Sequence, residues 1–243
     1  MIPCPIAEHD SVWEVLPKAN LDIMNSLDYF IVENVRSARR FLSKAGIERK
    51  IEELEFVELN EHTTSAADIE RMLRPILAGR SAGVISEAGV PGVADPGADI
   101  VALAHRHGVR IVPLVGPSSI LMVMMASGQN GQSFAFNGYL PIKEPDRSRT
   151  IRNYERRAQQ ERQAQIFIEA PYRNIKLFDT FINTLSAKMR LTVACDITSK
   201  EEIIITRSIE EWKRAGVPNI EKRPTIFLYL AHYCFIPHFF LTL

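Results

Sequence analysis

The sequence has no long apolar run: none approaches the roughly 20 residues that a helix needs to cross a bilayer, so we expect no membrane-spanning segment. The opening residues MIPCPIAEHD are interrupted by prolines, so we expect no secretion signal and a cytoplasmic protein. Cysteine is scarce: Cys4, Cys195 and Cys234 are odd in number and far apart, which predicts buried free thiols in a reducing compartment. The net charge is zero, which argues against non-specific coating of polyanions.

The zero net charge conceals a difference between the two halves of the chain. Residues 1–116 hold 12 Lys/Arg and 17 Asp/Glu, whereas residues 117–243 hold 17 and 12. Ten of the 12 glycines lie between Gly79 and Gly138. Both asymmetries indicate a chain of more than one part, with the glycine-rich segment as the first place to search for a site.

Strand and helix patterns alternate in the first half, which predicts an α/β fold with a mainly parallel sheet. One predicted strand covers the apolar residues 109–115, and Asp95 is the expected N-cap of a helix with Pro96 at its first position. In the second half, strands follow one another, which indicates a mixed sheet, and residues 143–163 form a polar stretch. We therefore predict domains at 1–116 and 117–232, and an apolar tail of unknown role at 233–243.

The densest signal is VISEAGVPGVADPG at residues 84–97, which leaves a buried strand and enters a helix. Such a loop lies outside the carboxyl end of a strand, where ligands of open α/β sheets bind, and its glycines allow close backbone approach. The glycine spacing does not fit G-x-G-x-x-G, and no G-x-x-x-x-G-K-[ST] occurs, which disfavours a dinucleotide or triphosphate cradle. The alternative is a tight structural turn.

Five motifs, in order, resemble one family. They are ISEAG-x-P with ADPG (residues 85–97), VPLVGPSS (112–119), ASG (126–128), FNGYLP (136–141) and IEAPYR (168–173). They resemble S-D-A-G-x-P…S-D-P-G, V-P-x-P-G-P-S, A-S-G, F-x-G-F-L-P and Y-E-S-P-H-R of the tetrapyrrole methylase (class III) S-adenosylmethionine-dependent methyltransferases, in particular the ribosomal RNA small-subunit methyltransferase I branch. The resemblance covers roughly residues 3–230.

This resemblance implies a two-domain tetrapyrrole-methylase-like fold with S-adenosylmethionine between the domains, no metal, and a homodimer. It also implies a set of cofactor contacts: Pro5, Ser86, Glu87, Val90, Ser118, Ser119, Glu169 and Ile197. Transfer of a methyl group is an in-line displacement that depends on positioning.

The chain departs from this branch where the acceptor is expected. P-I-G-N-L is replaced by PIAEH at residues 5–9, E-D-T-R by ENVR at 33–36, and R-E-L-T by CDIT at 195–198. For an acceptor ribose 2′-OH of small-subunit ribosomal RNA, Glu33 is the candidate general base and Arg36 the candidate phosphate ligand; the alternative for Glu33 is a solvated, helix-capping carboxylate. Two other functions stay open: methylation of a tetrapyrrole or another small acceptor, and cofactor binding without catalysis.

Each of two basic helical surfaces can be interpreted in two ways. One contains Arg36, Arg39 and Arg40, and the other spans residues 147–162. Runs of charge usually form solvated faces, whereas in an RNA methyltransferase they hold phosphates.

Overall fold

The computed structural model describes residues 1–59 and 65–231. Contacts divide the chain into two units. The first comprises Met1–Ser119 with Thr198–Lys200, and the second Ile120–Ile197 with the chain from Glu201 onward. The domain limits expected from the sequence stay a prediction, and the tail at 233–243 lies outside the described residues.

The first unit contains a parallel three-stranded sheet with the order β2-β1-β3. Its strands are β1 (Tyr29–Val32), β2 (Glu55–Glu58) and β3 (Gly83–Ile85). Its helices are α1 (Ala19–Asn25), α2 (Val35–Ala45), α3 (Ala66–Leu77) and α4 (Gly97–Arg106).

Short local signals begin and end these elements. The Asn34 side chain accepts a hydrogen bond from the Ser37 N–H at 3.0 Å and caps α2, which ends at Gly46 with φ 73°. All four residues of β1 are buried and alternate between two apolar clusters. Phe30 and Val32 belong to one cluster, and Tyr29 and Ile31 to the other. A strand buried on both faces is therefore the centre of this unit.

Two predictions for this unit are wrong. Residues 109–115 do not form a strand; Met1 reaches them, with its amine donating to the Val112 carbonyl and its carbonyl accepting from the Leu114 N–H. An apolar run forms a strand only where a neighbouring backbone pairs along it, and one residue is too little. Asp95 is not the N-cap of α4 either: Pro96 is, and the Asp95 carboxylate binds backbone N–H groups on both sides of itself.

The second unit contains a mixed five-stranded sheet with the order β4-β5-β8-β6-β7, which agrees with the predicted α/β fold class. Its strands are β4 (Phe134–Tyr139), β5 (Ala164–Ile168), β6 (Met189–Cys195), β7 (Ile203–Ser208) and β8 (Thr225–Ala231). The helices that follow α4 along the chain are α5 (Ser119–Ala126), α6 (Asp146–Glu161), α7 (Asn174–Thr184) and α8 (Ile209–Ala215).

Helix α6 lies within the polar stretch at residues 143–163, where the sequence indicated a basic helical surface at 147–162. Ile151 and Ala158 are buried on its inner face, seven positions apart and thus two turns along the helix. Arg147 is also fully buried, and its guanidinium donates to the carbonyls of Pro141 and Ile142 at 2.8 and 2.7 Å. A buried cation thus ties the start of α6 to the segment that follows β4.

Strand directions bring several distant residues to one edge of the second sheet. β4 runs parallel to β5, with Tyr139 opposite Ile168. β5 and β6 are both antiparallel to β8, where Ile168 pairs with Ile226 and Cys195 with Thr225. The carboxyl ends of β4, β5 and β6 therefore lie at the same edge, which we call the carboxyl edge of the second sheet.

Three further observations concern expectations from the sequence. Cys4 and Cys195 are buried free thiols, as predicted, whereas Cys234 lies outside the described residues. Within residues 1–59 and 65–231, no helix is both long and apolar enough to cross a membrane. In the same residues, no group of three or more His, Cys, Asp or Glu side chains is arranged to hold a metal ion.

Candidate active site

The glycine loop (residues 86–96) begins where β3 ends, at the carboxyl edge of the first sheet. Val32 of β1 lies opposite Ile85 of β3, so Glu33 and Ser86 leave the sheet side by side. The Glu33 N–H donates to the Ile85 carbonyl at 3.1 Å, and Ser86 is buried. This edge of a parallel sheet is the usual ligand site of α/β folds.

The middle of the glycine loop is flanked by two other segments. Gly89 pairs with Cys4 through both backbone groups, with N–O distances of 2.8 and 3.1 Å. Its φ of 73° favours glycine. A Cβ there would lie 3.3 Å from Ile6 Cγ2 and 3.5 Å from the Pro117 carbonyl oxygen. The segment around Pro5 and the one that leads into α5 therefore both approach the loop.

Asp95 fixes the end of the glycine loop. Its two carboxylate oxygens accept from the Gly92 N–H at 2.9 and 2.8 Å, and Oδ1 also accepts from the Gly97 N–H at 2.7 Å. Ala94 takes a φ of 62°, which is rare for a residue with a side chain. A single carboxylate thus holds a strained turn in place, and its N–H partners are no longer available to a ligand.

Two glutamates, Glu33 and Glu87, lie where β1 and β3 end. Glu33 Oε2 accepts from the Glu87 backbone N–H at 3.0 Å, and Glu87 Oε2 accepts from the Ser37 hydroxyl at 3.1 Å. Glu33 is half-buried and Glu87 is exposed. Arg36 is exposed in the first turn of α2. Glu33 therefore already has one structural role, because its carboxylate connects the end of β1 to the glycine loop.

In the second unit, Glu169 follows β5 at the carboxyl edge, with its side chain only 1% exposed. Its Oε1 accepts from the Ala170 N–H at 2.7 Å and from Nε and Nη2 of Arg173 at 2.9 and 2.5 Å. These hydrogen bonds from Arg173 to Glu169 raise the pKa of the guanidinium. Among the described residues, Glu169 Oε2 is buried and has no hydrogen-bond partner.

Ile197 follows β6 at the same edge and is buried between two residues in the left-handed region. Asp196 has φ 48° and Thr198 has φ 74°. The Asp196 carboxylate accepts from Arg223 Nε at 2.7 Å. Such non-glycine conformations cost about 1–3 kcal/mol each and cluster at functional sites.

All residues predicted from the sequence to form the site are described. In the first unit, one group lies at or beside the glycine loop and another follows β1. The first group is Pro5, Ser86, Glu87, Val90, Ser118 and Ser119, and the second is Glu33 and Arg36. Glu169 and Ile197 lie at the carboxyl edge of the second sheet. Their assignment to cofactor and acceptor stays a prediction.

Sequence reasoning missed two features. The first is the ion pair between Glu169 and Arg173: a spacing of four residues indicates pairing on a helix, whereas this segment is the end of β5 followed by a short 3-10 turn. The second feature is the double role of Asp95, whose position between Gly92 and Gly97 is typical of a carboxylate that closes a turn.

The first unit also has a larger cavity elsewhere. It has a volume of about 520 Å³ and is lined mainly by apolar residues, with Met1, Ile76, Arg80 and Ile100 among them. It contains no residue of the predicted site. A smaller pocket lies at the predicted site itself, lined by Glu33, Ser86, Asp95 and Gly97. It is the better candidate for a ligand site, because polar groups converge there.

Comparisons with known proteins agree with this geometry. The crystal structure of the methyltransferase CobJ is similar with a TM-score of 0.58 and 17% identity, covering 88% of this chain and 87% of that chain. The cobalamin biosynthetic enzyme cobalt precorrin-4 methyltransferase, CbiF, gives a TM-score of 0.55 and 15% identity, covering 87% of each chain. The chain therefore has the fold of the tetrapyrrole methyltransferases.

Curated proteins with similar sequences indicate one branch of the methyltransferases. Ribosomal RNA small subunit methyltransferase I of Vibrio cholerae is 28% identical over 204 residues, which are 84% of this chain and 66% of the relative. Its counterparts in Mesorhizobium japonicum and Xylella fastidiosa are 28% and 30% identical, over 78% and 79% of this chain. No protein-family model matches the chain.

The chain is a homologue of the ribosomal RNA small subunit methyltransferase I proteins, as its motifs predicted. It spans slightly less than two thirds of their length, at 66%, 61% and 66% for these three relatives.

Proposed function

We propose that the protein is an S-adenosylmethionine-dependent methyltransferase. The observation that carries the proposal is the glycine loop, which leaves the carboxyl edge of a parallel sheet between two flanking segments in a homologue of methyltransferases. In this proposal, the first-unit part of the cofactor site is Ser86, Glu87 and Val90 of this loop with Pro5, Ser118 and Ser119. Glu169 and Ile197 of the second unit complete the set.

The chemistry of these residues fits the cofactor. S-adenosylmethionine supplies an electrophilic methyl group on a sulfonium, and it carries an ammonium, a carboxylate, two ribose hydroxyls and an adenine. Carboxylates such as Glu87 suit the ammonium and the hydroxyls, and backbone groups beside glycines suit the carboxylate and adenine. The buried Glu169 Oε2, which lacks a partner among the described residues, is an acceptor for such a donor.

For the acceptor, we propose a ribose 2′-OH of small-subunit ribosomal RNA, in line with the names of the homologues. Glu33 is the candidate base because it stands beside Glu87 at the carboxyl edge of the first sheet. One of its oxygens accepts the Glu87 N–H, which orients the carboxylate and leaves acceptor capacity on the other. Arg36, exposed in the first turn of α2, is the candidate ligand of a phosphate.

Labelled S-adenosylmethionine tests this function directly. The protein is incubated with small ribosomal subunits, with total RNA and with a small-molecule extract, all from a strain that lacks the gene. We expect label in the ribosomal RNA. Label only in the small-molecule fraction would refute the RNA acceptor and favour a tetrapyrrole or a similar compound. Cofactor binding without transfer to any fraction would indicate a catalytically silent homologue.

Two substitutions of Glu33 separate catalysis from loop support. In Glu33→Gln the amide oxygen still accepts the Glu87 N–H, so cofactor affinity should be unchanged while the transfer rate falls about 100- to 10,000-fold if Glu33 is the base. Glu33→Ala should reduce both quantities. Wild-type turnover in Glu33→Gln would leave Glu33 as a support for the loop only.

Substitutions in the cofactor site test its position. Glu87→Ala and Ser118→Ala should each weaken S-adenosylmethionine binding in calorimetry, because each removes a polar partner beside the loop. Unchanged affinity in both variants would mean that the cofactor binds elsewhere.

The remaining expectations concern assembly and location. We propose a homodimer in the cytoplasm, where ribosomal RNA is available. Sedimentation at micromolar concentration tests the dimer, and a monomer there would contradict it.

A further inference from the structure

Two large aromatic side chains are exposed at the carboxyl edge of the second sheet. Tyr139 ends β4 and is 63% exposed, and Tyr172 follows β5 and is 70% exposed. Tyr139 pairs in register with Ile168, only four positions before Tyr172 in the chain. Neighbouring exposed aromatics of this size mark a binding surface more often than ordinary solvent-facing positions.

The surface is held by an anchored arginine. Arg173 binds the buried Glu169 through Nε and Nη2, and its Nη1 donates to the Tyr172 hydroxyl at 2.6 Å. The guanidinium carbon lies 4.9 Å from the centre of the Tyr172 ring. Tyr139 lies at the same carboxyl edge, because it pairs in register with Ile168, the residue that precedes Glu169. The hydrogen bonds to Glu169 and Tyr172 thus hold the Arg173 guanidinium, which would otherwise be flexible, in one position.

The chemistry of this surface matches a nucleobase. Tyrosine rings and guanidinium planes are the groups on which proteins stack the bases of single-stranded RNA. The second half of the chain has a charge of +5, from 17 basic and 12 acidic residues, which complements a phosphate backbone. The exposure of both rings fits an open platform better than a site that encloses most of a small ligand.

We propose that Tyr139, Tyr172 and Arg173 form a stacking platform for a base of the single-stranded RNA that carries the acceptor ribose. The inference rests on the proposed function, since it names how the acceptor strand is held beside the cofactor-binding residue Glu169. The buried Oε2 of Glu169, which has no partner among the described residues, is a second sign that the platform adjoins a ligand site.

Substitutions of both tyrosines test the platform. Tyr139→Leu and Tyr172→Leu remove the rings, and Tyr139→Phe and Tyr172→Phe keep them without the hydroxyl. The probe is a fluorescently labelled single-stranded ribo-oligonucleotide of mixed sequence, measured by fluorescence anisotropy. Each leucine variant should bind about 5- to 150-fold more weakly than wild type, which is the measured range for one stacked base. The phenylalanine variants should retain wild-type affinity.

A matched control comes from the other end of β4. Phe134 begins this strand and is 38% exposed, so Phe134→Leu removes an exposed ring from the same strand away from the carboxyl edge. It should not change oligonucleotide binding. Far-ultraviolet circular dichroism and thermal unfolding establish that every variant is folded.

The outcomes separate this inference from the proposed function. Leucine variants that bind the oligonucleotide like wild type would overturn the platform, while cofactor binding and methyl transfer by wild type would leave the function standing. Leucine variants that lose S-adenosylmethionine affinity in calorimetry but keep RNA affinity would also overturn it, because the stacked base would then be the adenine of the cofactor. Failure of wild type to bind the cofactor would refute the function, whatever the platform binds.

Discussion

Replacing Asp95 by alanine removes the carboxylate that holds the end of the glycine loop. Two backbone N–H groups lose their acceptor: that of Gly92, at 2.9 and 2.8 Å from the two oxygens, and that of Gly97, at 2.7 Å from Oδ1. Ala94, with φ 62°, lies within the turn that these bonds close, so the constraint on its left-handed backbone is lost with them. We expect the loop to relax into other conformations.

The size of the effect follows from these bonds. A hydrogen bond to a charged acceptor contributes about 1.5–3 kcal/mol. Because Asp95 is only half-buried and water replaces it in part, we take about 2 kcal/mol for the two donors together. If the cofactor requires the ordered loop, the same free energy must be supplied on binding, which weakens S-adenosylmethionine affinity about 30-fold.

Calorimetry measures the affinity, and urea unfolding measures the loss of stability. Asp99→Ala is the control, because Asp99 is an exposed acid in the first turn of α4 and its hydrogen bond to the loop, from its backbone N–H to the Pro96 carbonyl, is retained in alanine. It should lose at most about 1 kcal/mol through its interaction with the helix dipole, and no cofactor affinity. Wild-type cofactor affinity in Asp95→Ala, with stability reduced as expected, would refute the requirement for an ordered loop.

Two further predictions concern packing and pH. Gly116→Ala should destabilise the folded protein by more than the about 1–3 kcal/mol typical of overpacking, because its Cβ would lie 2.3 Å from the rigid ring of Pro3. Gly131→Ala is the control and should be tolerated, because the nearest atom to its Cβ would be 3.8 Å away. Equal unfolding midpoints for the two variants would contradict this prediction. Burial, followed by the nearby charge of Glu87, raises the Cys4 pKa from its ordinary 9.0 to about 12. Between pH 9 and 12 the folded protein keeps a proton that the unfolded chain loses, so this thiol should lower the free energy of unfolding by about 1.4 kcal/mol per pH unit. Cys4→Ala should therefore flatten the alkaline part of a plot of stability against pH. Parallel curves for the variant and wild type would contradict this prediction.

Local signals were sufficient where one segment determines its own structure. The capped helix α2 follows from Asn34 and Gly46, and β1 from four consecutive apolar residues. The sequence indicated α6 only as a basic helical surface, because its apolar face at Ile151 and Ala158 is narrow between many arginines. The strand expected at 109–115 did not form because pairing depends on a neighbouring backbone, which no property of that segment reveals.

The candidate site divides in the same way. The glycine loop was found from its own composition, and the comparisons confirm the family resemblance that its motifs indicated. Contacts between segments could not be read from spacing: the bond from the Glu87 N–H to Glu33 joins residues 54 positions apart, and Tyr139 meets Ile168 only through strand pairing.

Because β4, β5 and β6 run in the same direction, the loops that follow them can change in evolution separately from the strands. The loops that follow these strands meet at one edge, although Tyr139, Glu169 and Ile197 are far apart in the chain. Substitutions or insertions in any of the three loops alter the same surface without disturbing the hydrogen-bonded strands behind them. Substrate preference in such a protein can therefore diverge one loop at a time while the folded scaffold stays constant, and a loop exchange between relatives is a practical way to transfer it.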